Sequence, residues 1–212
     1  MLALGVGTKL AVAAVAIPHA AGTAFRLWRL GGRPDRRVLW SFGLTSAAGG
    51  LAGALLHGRV GSPSLTLVFG VLLVFVAVSE VTGLAARLHF EGRSAWAAGA
   101  LSGFLGGLVG NQGGIRSAAL LAFGLDKRTF VATATAIGLL VDAARTPVYL
   151  WNAGAQLAPL AGPIAVATAG VLLGTLLGGS LLARIPQRAY RPVVAALIGA
   201  LGLLMLFDGV NP

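Results

Sequence analysis

Apolar stretches of about twenty residues recur along this 212-residue chain, separated by short clusters of arginine, glycine and proline. At 1.5 Å per residue such a stretch, coiled as a helix, matches the roughly 30 Å hydrocarbon core of a bilayer. Charge is correspondingly scarce. Only 10% of the side chains are charged and 57% are hydrophobic, whereas an ordinary soluble domain carries about 25% charged residues. A water-soluble globular domain is excluded. The fold class is all-α, a polytopic membrane helix bundle forming one compact unit. The 32 glycines agree, because small residues let helices approach closely in lipid.

The net charge of +10 comes from 16 Lys+Arg against 6 Asp+Glu. On a soluble protein that excess points to nucleic acid. Here the basic residues flank apolar runs, as groups held at an anionic leaflet do. The expected partner is therefore the lipid bilayer and not nucleic acid. The chain has no cysteine, which excludes disulfides, thiolate metal sites and a cysteine nucleophile. Lys9 followed by Leu10–Ile17 has the look of a signal peptide, but the apolar stretch continues to Leu30 with its basic flank beyond. That reads as a retained first span.

Six spanning helices are expected at 8–30, 38–57, 65–88, 128–151, 157–183 and 190–208. The segment 95–124 differs, because Gly110-Asn111-Gln112-Gly113-Gly114 and then Arg116 interrupt it. Side-chain amides in hydrocarbon need protein or water partners, so the segment either crosses with a broken middle or dips in and returns. Charge separates the two. A crossing puts Arg26, Arg29, Arg33, Arg36, Arg37, Arg87 and Arg93 on one side and Lys9, Arg59, Lys127, Arg128, Arg184, Arg188 and Arg191 on the other, which is balanced. A re-entrant segment moves all but Lys9 and Arg59 to one face and leaves Arg116 and Arg145 within the membrane. Cytoplasmic loops carry the Lys/Arg excess. The re-entrant arrangement is favoured, with both termini outside the cytoplasm.

Under that arrangement the first three spans run opposite to the last three. Residues 1–90 and 91–212 form two half-repeats of inverted orientation, the second opening with the broken helix. Two sequence echoes support the division. Val6-Gly7-Thr8 recurs loosely as Val131-Ala132-Thr133, and the Gly/Ala/Leu run at 48–56 recurs at 169–177. Inverted repeats with broken helices at mid-membrane characterise transporters.

The break carries the best candidate chemistry. Two arms, about 95–110 and 115–124, meet at Asn111, Gln112, Gly113 and Gly114, where the second arm aims free backbone N–H groups into a cavity. A helix N-terminus attracts anions. Arg116 adds a full charge in a planar donor fork suited to oxyanions, and Asn111, Gln112 and Ser117 supply neutral hydrogen bonds. Arg116 lies about 15 Å along a helix from the Asp126-Lys127-Arg128 boundary, too deep to snorkel easily. Asp142 and Arg145, at i,i+3 spacing, pair on one helix face either as functional charges or as a neutralising pair. Glu80 is a proton-carrying carboxylate or an interfacial group. Lys9 reads as a boundary residue, and His19, His57 and His89 as boundary or packing residues without metal-ligand spacing. Ser102 has no His–carboxylate pair beside it. No catalytic residue, cofactor or metal site is expected. Trp28, Trp40, Trp96 and Trp151 fall at predicted span ends, as an aromatic belt does.

The Gly-rich break, Asp126-Lys127-Arg128 with Val131-Ala132-Thr133-Ala134-Thr135-Ala136, the earlier Val6-Gly7-Thr8-Lys9-Leu10-Ala11, and Ala183-Arg184-Ile185-Pro186 together resemble the TauE/SafE sulfite-exporter family over nearly the whole chain. The resemblance implies a secondary transporter that exports a small sulfur-containing or organic anion, sulfite or a sulfonate, across the bacterial inner membrane. Two departures are expected to matter. Members carry a first Gly-rich broken segment before the Val6-Gly7-Thr8 stretch; and here Asn111-Gln112 replaces glycines, Ser117-Ala118-Ala119 stands where a proline is expected, and Arg116 is not part of the general pattern. The competing readings are a membrane-embedded acyl- or phosphotransferase and a non-transporting truncated subunit. Homo-oligomerisation is left open.

Overall fold

Hydrocarbon offers backbone N–H and C=O groups no water to bond, so a chain this apolar pairs them internally as helix. The computed structural model describes residues 6–30, 33–84, 92–110, 116–117, 120, 123–182 and 187–210, and among these no strand occurs. Helix α1 is Thr8–Leu30, α2 is Arg36–Arg59 with a π-helical turn at Leu39–Gly43, and α3 is Ser62–Thr82. Then come α4, Arg93–Val109; α5, Lys127–Leu157; α6, Ala161–Leu182; and α7, Gln187–Val210. Among the described residues, four helical stretches are long and apolar enough to cross a membrane: Thr8–Arg29, Arg36–Arg59, Ser62–Ser79 and Arg128–Leu177. The last has 50 residues, about 75 Å as straight helix and more than twice a bilayer core. It is interrupted by the 3-10 turn Ala158–Leu160, which contains Pro159. Ala195–Val210 is a shorter apolar helix.

The element ends differ from the expected spans for local reasons. Helix α2 begins at Arg36 because Asp35 caps it, Oδ1 accepting from the Val38 N–H at 3.0 Å. Helix α3 has Pro63 in its first turn and stops at Gly83, whose φ of +67° suits glycine. It is displaced toward the N-terminus of the expected 65–88. Helix α5 continues to Leu157 with Pro147 inside it, so α6 starts at 161 rather than 157. Asp126 caps α5, Oδ1 accepting from Arg128 N at 2.9 Å and Thr129 N at 3.2 Å. The Thr129 hydroxyl, with these amides, holds the exposed Asp126 carboxyl below its ordinary value. This cap is therefore intact at neutral pH and is lost only as pH falls through that lowered value.

Glycine contacts fix how the helices run. A Cβ on Gly49 or Gly53 of α2 would overlap the carbonyls of Ala100 and Phe104 in α4. One on Gly103 or Gly107 of α4 would overlap those of Ser46 and Gly50. So α2 and α4 lie backbone to backbone in the same direction, and Ser46 Oγ donates to Gly99 O at 2.9 Å. Helix α5 is parallel to both, with Val141 at Gly50 and Asn152 at Gly58. Helix α1 runs the other way, Thr23 beside Gly138 and His19 bonded to Asp142. Helix α6 folds back along α1, with Ile164 on the cluster around Val12 and Val171 at Gly22. Helices α3 and α7 pair antiparallel, Gly70 opposite Gly202 and Leu67 opposite Gly209. Exposed large side chains such as Val71, Val78, Val81, Leu173 and Leu203 give an apolar exterior of the kind lipid covers.

A sharp packing test follows. Gly103→Leu drives a side chain into the Ser46 backbone, whereas a Cβ on Gly174 of α6 meets nothing within 4 Å. Overpacking costs about 1–3 kcal/mol when side chains can yield, and facing backbone yields less. Gly103→Leu is expected to abolish the monodisperse folded species in size-exclusion chromatography, and Gly174→Leu to leave it intact.

Between α4 and α5 the chain reverses. Helix α4 ends at Gly110, with φ +82° and its N–H bonded to Gly106 O at 3.0 Å. By Leu120 the chain is packed again beside Ala98, near the start of α4, in a cluster with Val38, Phe42 and Ile137. From Ala98 to Gly110 is about 18 Å of helix, little more than half a bilayer core. The expected first arm matches α4. Of the expected tip, Asn111, Gln112, Gly113 and Gly114 lie outside the described residues.

Candidate functional site

A helix that stops inside a bundle leaves its last four carbonyls without intrahelical acceptor bonds, at the negative end of its dipole. In α4 three successive carbonyls near that end accept from side chains of two other helices, Gly106 O in addition to its bond from the Gly110 N–H. Arg145 Nη1 donates to Gly106 O, the Tyr149 hydroxyl to Gly107 O, and His57 Nδ1 to Leu108 O at 2.8 Å. Arg145 and Tyr149 stand four apart on α5 and so project from one face. His57 reaches in from the last turn of α2. It is buried, stacks on Tyr149 with ring centroids 4.9 Å apart, and its Nε2 lies 3.1 Å from Lys9 O. Lys9 Nζ caps α2 in the same manner, donating to Gly58 O at 2.7 Å.

Arg145 is anchored by Asp142. Nε lies 3.0 Å and Nη2 2.8 Å from Asp142 Oδ1, and His19 Nδ1 donates to Oδ2 at 2.7 Å. Asp142 is fully buried and Arg145 2% exposed. The expected i,i+3 pair therefore forms. All three donor groups of Arg145 are committed to it and to the α4 carbonyl, so this guanidinium holds the broken helix in place.

Arg116 is different. Its guanidinium lies against α5, close enough that a Cβ on Gly138 would stand 3.0 Å from Nη1, with Thr23 of α1 on the other side. Nε and Nη1 are buried and have no hydrogen-bond partner among the described residues. Gly138 and Asp142 are one turn apart on α5, so Arg116, with two nitrogens unbonded among the described residues, stands beside the Asp142–Arg145 pair. A cavity of about 210 Å³ opens at the end of α4, lined by Thr8, Val12, Ala16, His19, Gly110 and Arg145 among others. Ser117 is exposed and is not drawn into this group. Glu80 sits near the end of α3, about 21 Å of helix beyond Thr66, which bonds Thr8 at 2.5 Å; its side chain is outside the described ones. No cluster of potential metal ligands occurs among the described residues.

The sequence reading missed the carbonyl-capping set. Of the two expectations for His57, boundary or packing, it is packing that holds: His57 is buried, with the end of α4 and the start of α1 closing over it. The readable signal was the α5 stripe Gly138, Asp142, Arg145, Tyr149, Asn152 and Gln156, whose spacings of three and four put every polar group on one face.

An apolar helical bundle with an internal break matches the family described as Sulfite exporter TauE/SafE over residues 1–205. The chain belongs to that family. A TauE/SafE protein is a membrane transporter for sulfite or related anions, which accords with helices long and apolar enough to span a bilayer. No curated protein and no solved structure matches this TauE/SafE chain.

Proposed function

We propose that the protein is a six-span secondary transporter that exports a small sulfur-containing or organic oxyanion across the bacterial inner membrane. In this reading residues 1–90 and 91–212 are inverted half-repeats, and residues 95–124 enter from the cytoplasmic face and return to it. The oxyanion is held at the break by Arg116, with Asn111, Gln112 and the Gly113-Gly114 amides completing the shell. Asp142 and Arg145 keep the break in register. The observation that carries the reading is the pair of buried, unbonded Arg116 nitrogens. Buried guanidinium nitrogens without hydrogen bonds are costly, and an oxyanion accepting from those N–H groups offsets that cost. Running directions support the inverted repeat, since α1, α2 and α3 alternate opposite to α5, α6 and α7.

Proteoliposomes loaded with radiolabelled sulfite provide the test. Saturable efflux, inhibited by a sulfonate and absent for a monovalent cation, is expected. Sulfite and sulfonate fluxes no greater than those of protein-free vesicles contradict the reading.

A further inference from the structure

A second cavity, of about 280 Å³, opens where the start of α1, the end of α2 and the latter half of α5 meet. It lies beyond the Tyr149–His57 layer from the break. Its polar wall is Lys9, His57, Ser62, Tyr149, Asn152 and Gln156, and among the described residues no carboxylate lines it.

The hydrogen bonds show which of these groups have donors to spare. Tyr149 and His57 are committed to the Gly107 and Leu108 carbonyls. Lys9 spends one ammonium N–H on Gly58 O and keeps two. Asn152 and Gln156 stand four apart on the face of α5 that also bears Tyr149 and Arg145, each with an amide NH₂. Facing a cavity with an ammonium, two amides and no acid, a small oxyanion gains hydrogen bonds and charge neutralisation together. A cation meets repulsion from Lys9, and an apolar ligand leaves the ammonium without a partner.

We propose that this cavity is a second oxyanion site, with Lys9 supplying the charge and Asn152 and Gln156 the orienting donors. It is separate from the Arg116 site: Gly138, beside Arg116, and Asn152 are about 21 Å apart along α5. An anion leaving the break along the α5 stripe reaches it next, so the site extends the transport reading without using any of its residues.

The test is calorimetric titration of the purified full-length protein with sodium sulfite, and separately with sodium methanesulfonate, at fixed ionic strength. In an Arg116→Gln background, which leaves the outer cavity untouched, one oxyanion site is expected to persist. Adding Lys9→Met is expected to weaken it at least tenfold and Lys9→Arg to restore it. Asn152→Leu serves as the second variant in case Lys9→Met loosens the α2 cap, and is expected to weaken the site about fivefold with an unchanged melting temperature. Affinity unaltered by both Lys9→Met and Asn152→Leu overturns the proposal, and so does chloride binding as tightly as sulfite. Failure of the Arg116 reading looks different: binding is then unchanged by Arg116→Gln alone but still falls with Lys9→Met.

Discussion

Arg116→Gln is expected to eliminate anion-dependent flux while leaving the protein as stable as before, or more stable. Most buried arginines would not behave this way, because removing them strands a partner. Here Nε and Nη1 have no partner among the described residues, so glutamine takes away a buried charge and strands no hydrogen-bond partner of those two atoms among them. The loss falls on the ligand. A charge-assisted hydrogen bond contributes about 1.5–3 kcal/mol, so the loss of one weakens sulfite binding by roughly 10- to 150-fold. Arg116→Lys keeps the charge without the planar fork and should fall between the two. Flux assays on proteoliposomes and thermal melts of the same preparations check both halves. A variant that melts lower and transports normally removes Arg116 from the site and makes it a packing residue.

Arg145→Met is expected to do the opposite, destabilising the fold before any effect on anion affinity can be measured. It leaves buried Asp142 with His19 as its remaining hydrogen-bond partner among the described residues, and takes from the Gly106 carbonyl one of its two bonds, the other coming from the Gly110 N–H. Breaking a buried pair by removing one partner costs about 3–5 kcal/mol, whereas replacing both members with apolar residues is often neutral. The double variant Asp142→Leu/Arg145→Met should therefore melt higher than Arg145→Met alone, though below the parent because the link from Arg145 to the Gly106 carbonyl is gone. If Arg145→Met melts like the parent and loses only flux, the pair belongs to the transport chemistry and not to the scaffold. The contrast separates two arginines that composition alone cannot tell apart: one with all three nitrogens bonded to protein, one with two nitrogens unbonded among the described residues.

How much of this was legible in the sequence differs from element to element. The apolar runs and their basic flanks are covalent facts, and they sufficed for an all-helical membrane bundle. The break at Gly110 was visible because glycine and amide side chains interrupt an apolar pattern, and α4 ends there with the left-handed φ that glycine allows. The Asp142–Arg145 pair follows from helical spacing alone. Helix ends were less secure, since α3 stops at Gly83 while α5 passes through Pro147 without ending, a difference decided by neighbouring contacts. The capping of Gly106, Gly107 and Leu108 could not be read at all. It depends on α2, α4 and α5 lying parallel and nearly in backbone contact, which brings His57 and Tyr149, 92 residues apart, to the same helix end. Ser117 shows the converse: adjacent in sequence to Arg116, it is turned outward by the helix.

The central claim is that the segment bearing Arg116 enters and leaves from one face. The chain contains no cysteine, so single cysteines report without background. Arg93→Cys and Arg128→Cys place a thiol at an exposed position at the start of α4 and of α5 respectively. In oriented vesicles a membrane-impermeant maleimide should label both from the cytoplasmic side and neither from the other. Labelling of the two positions from opposite sides would make the segment a crossing, reverse every helix after it, and contradict the account.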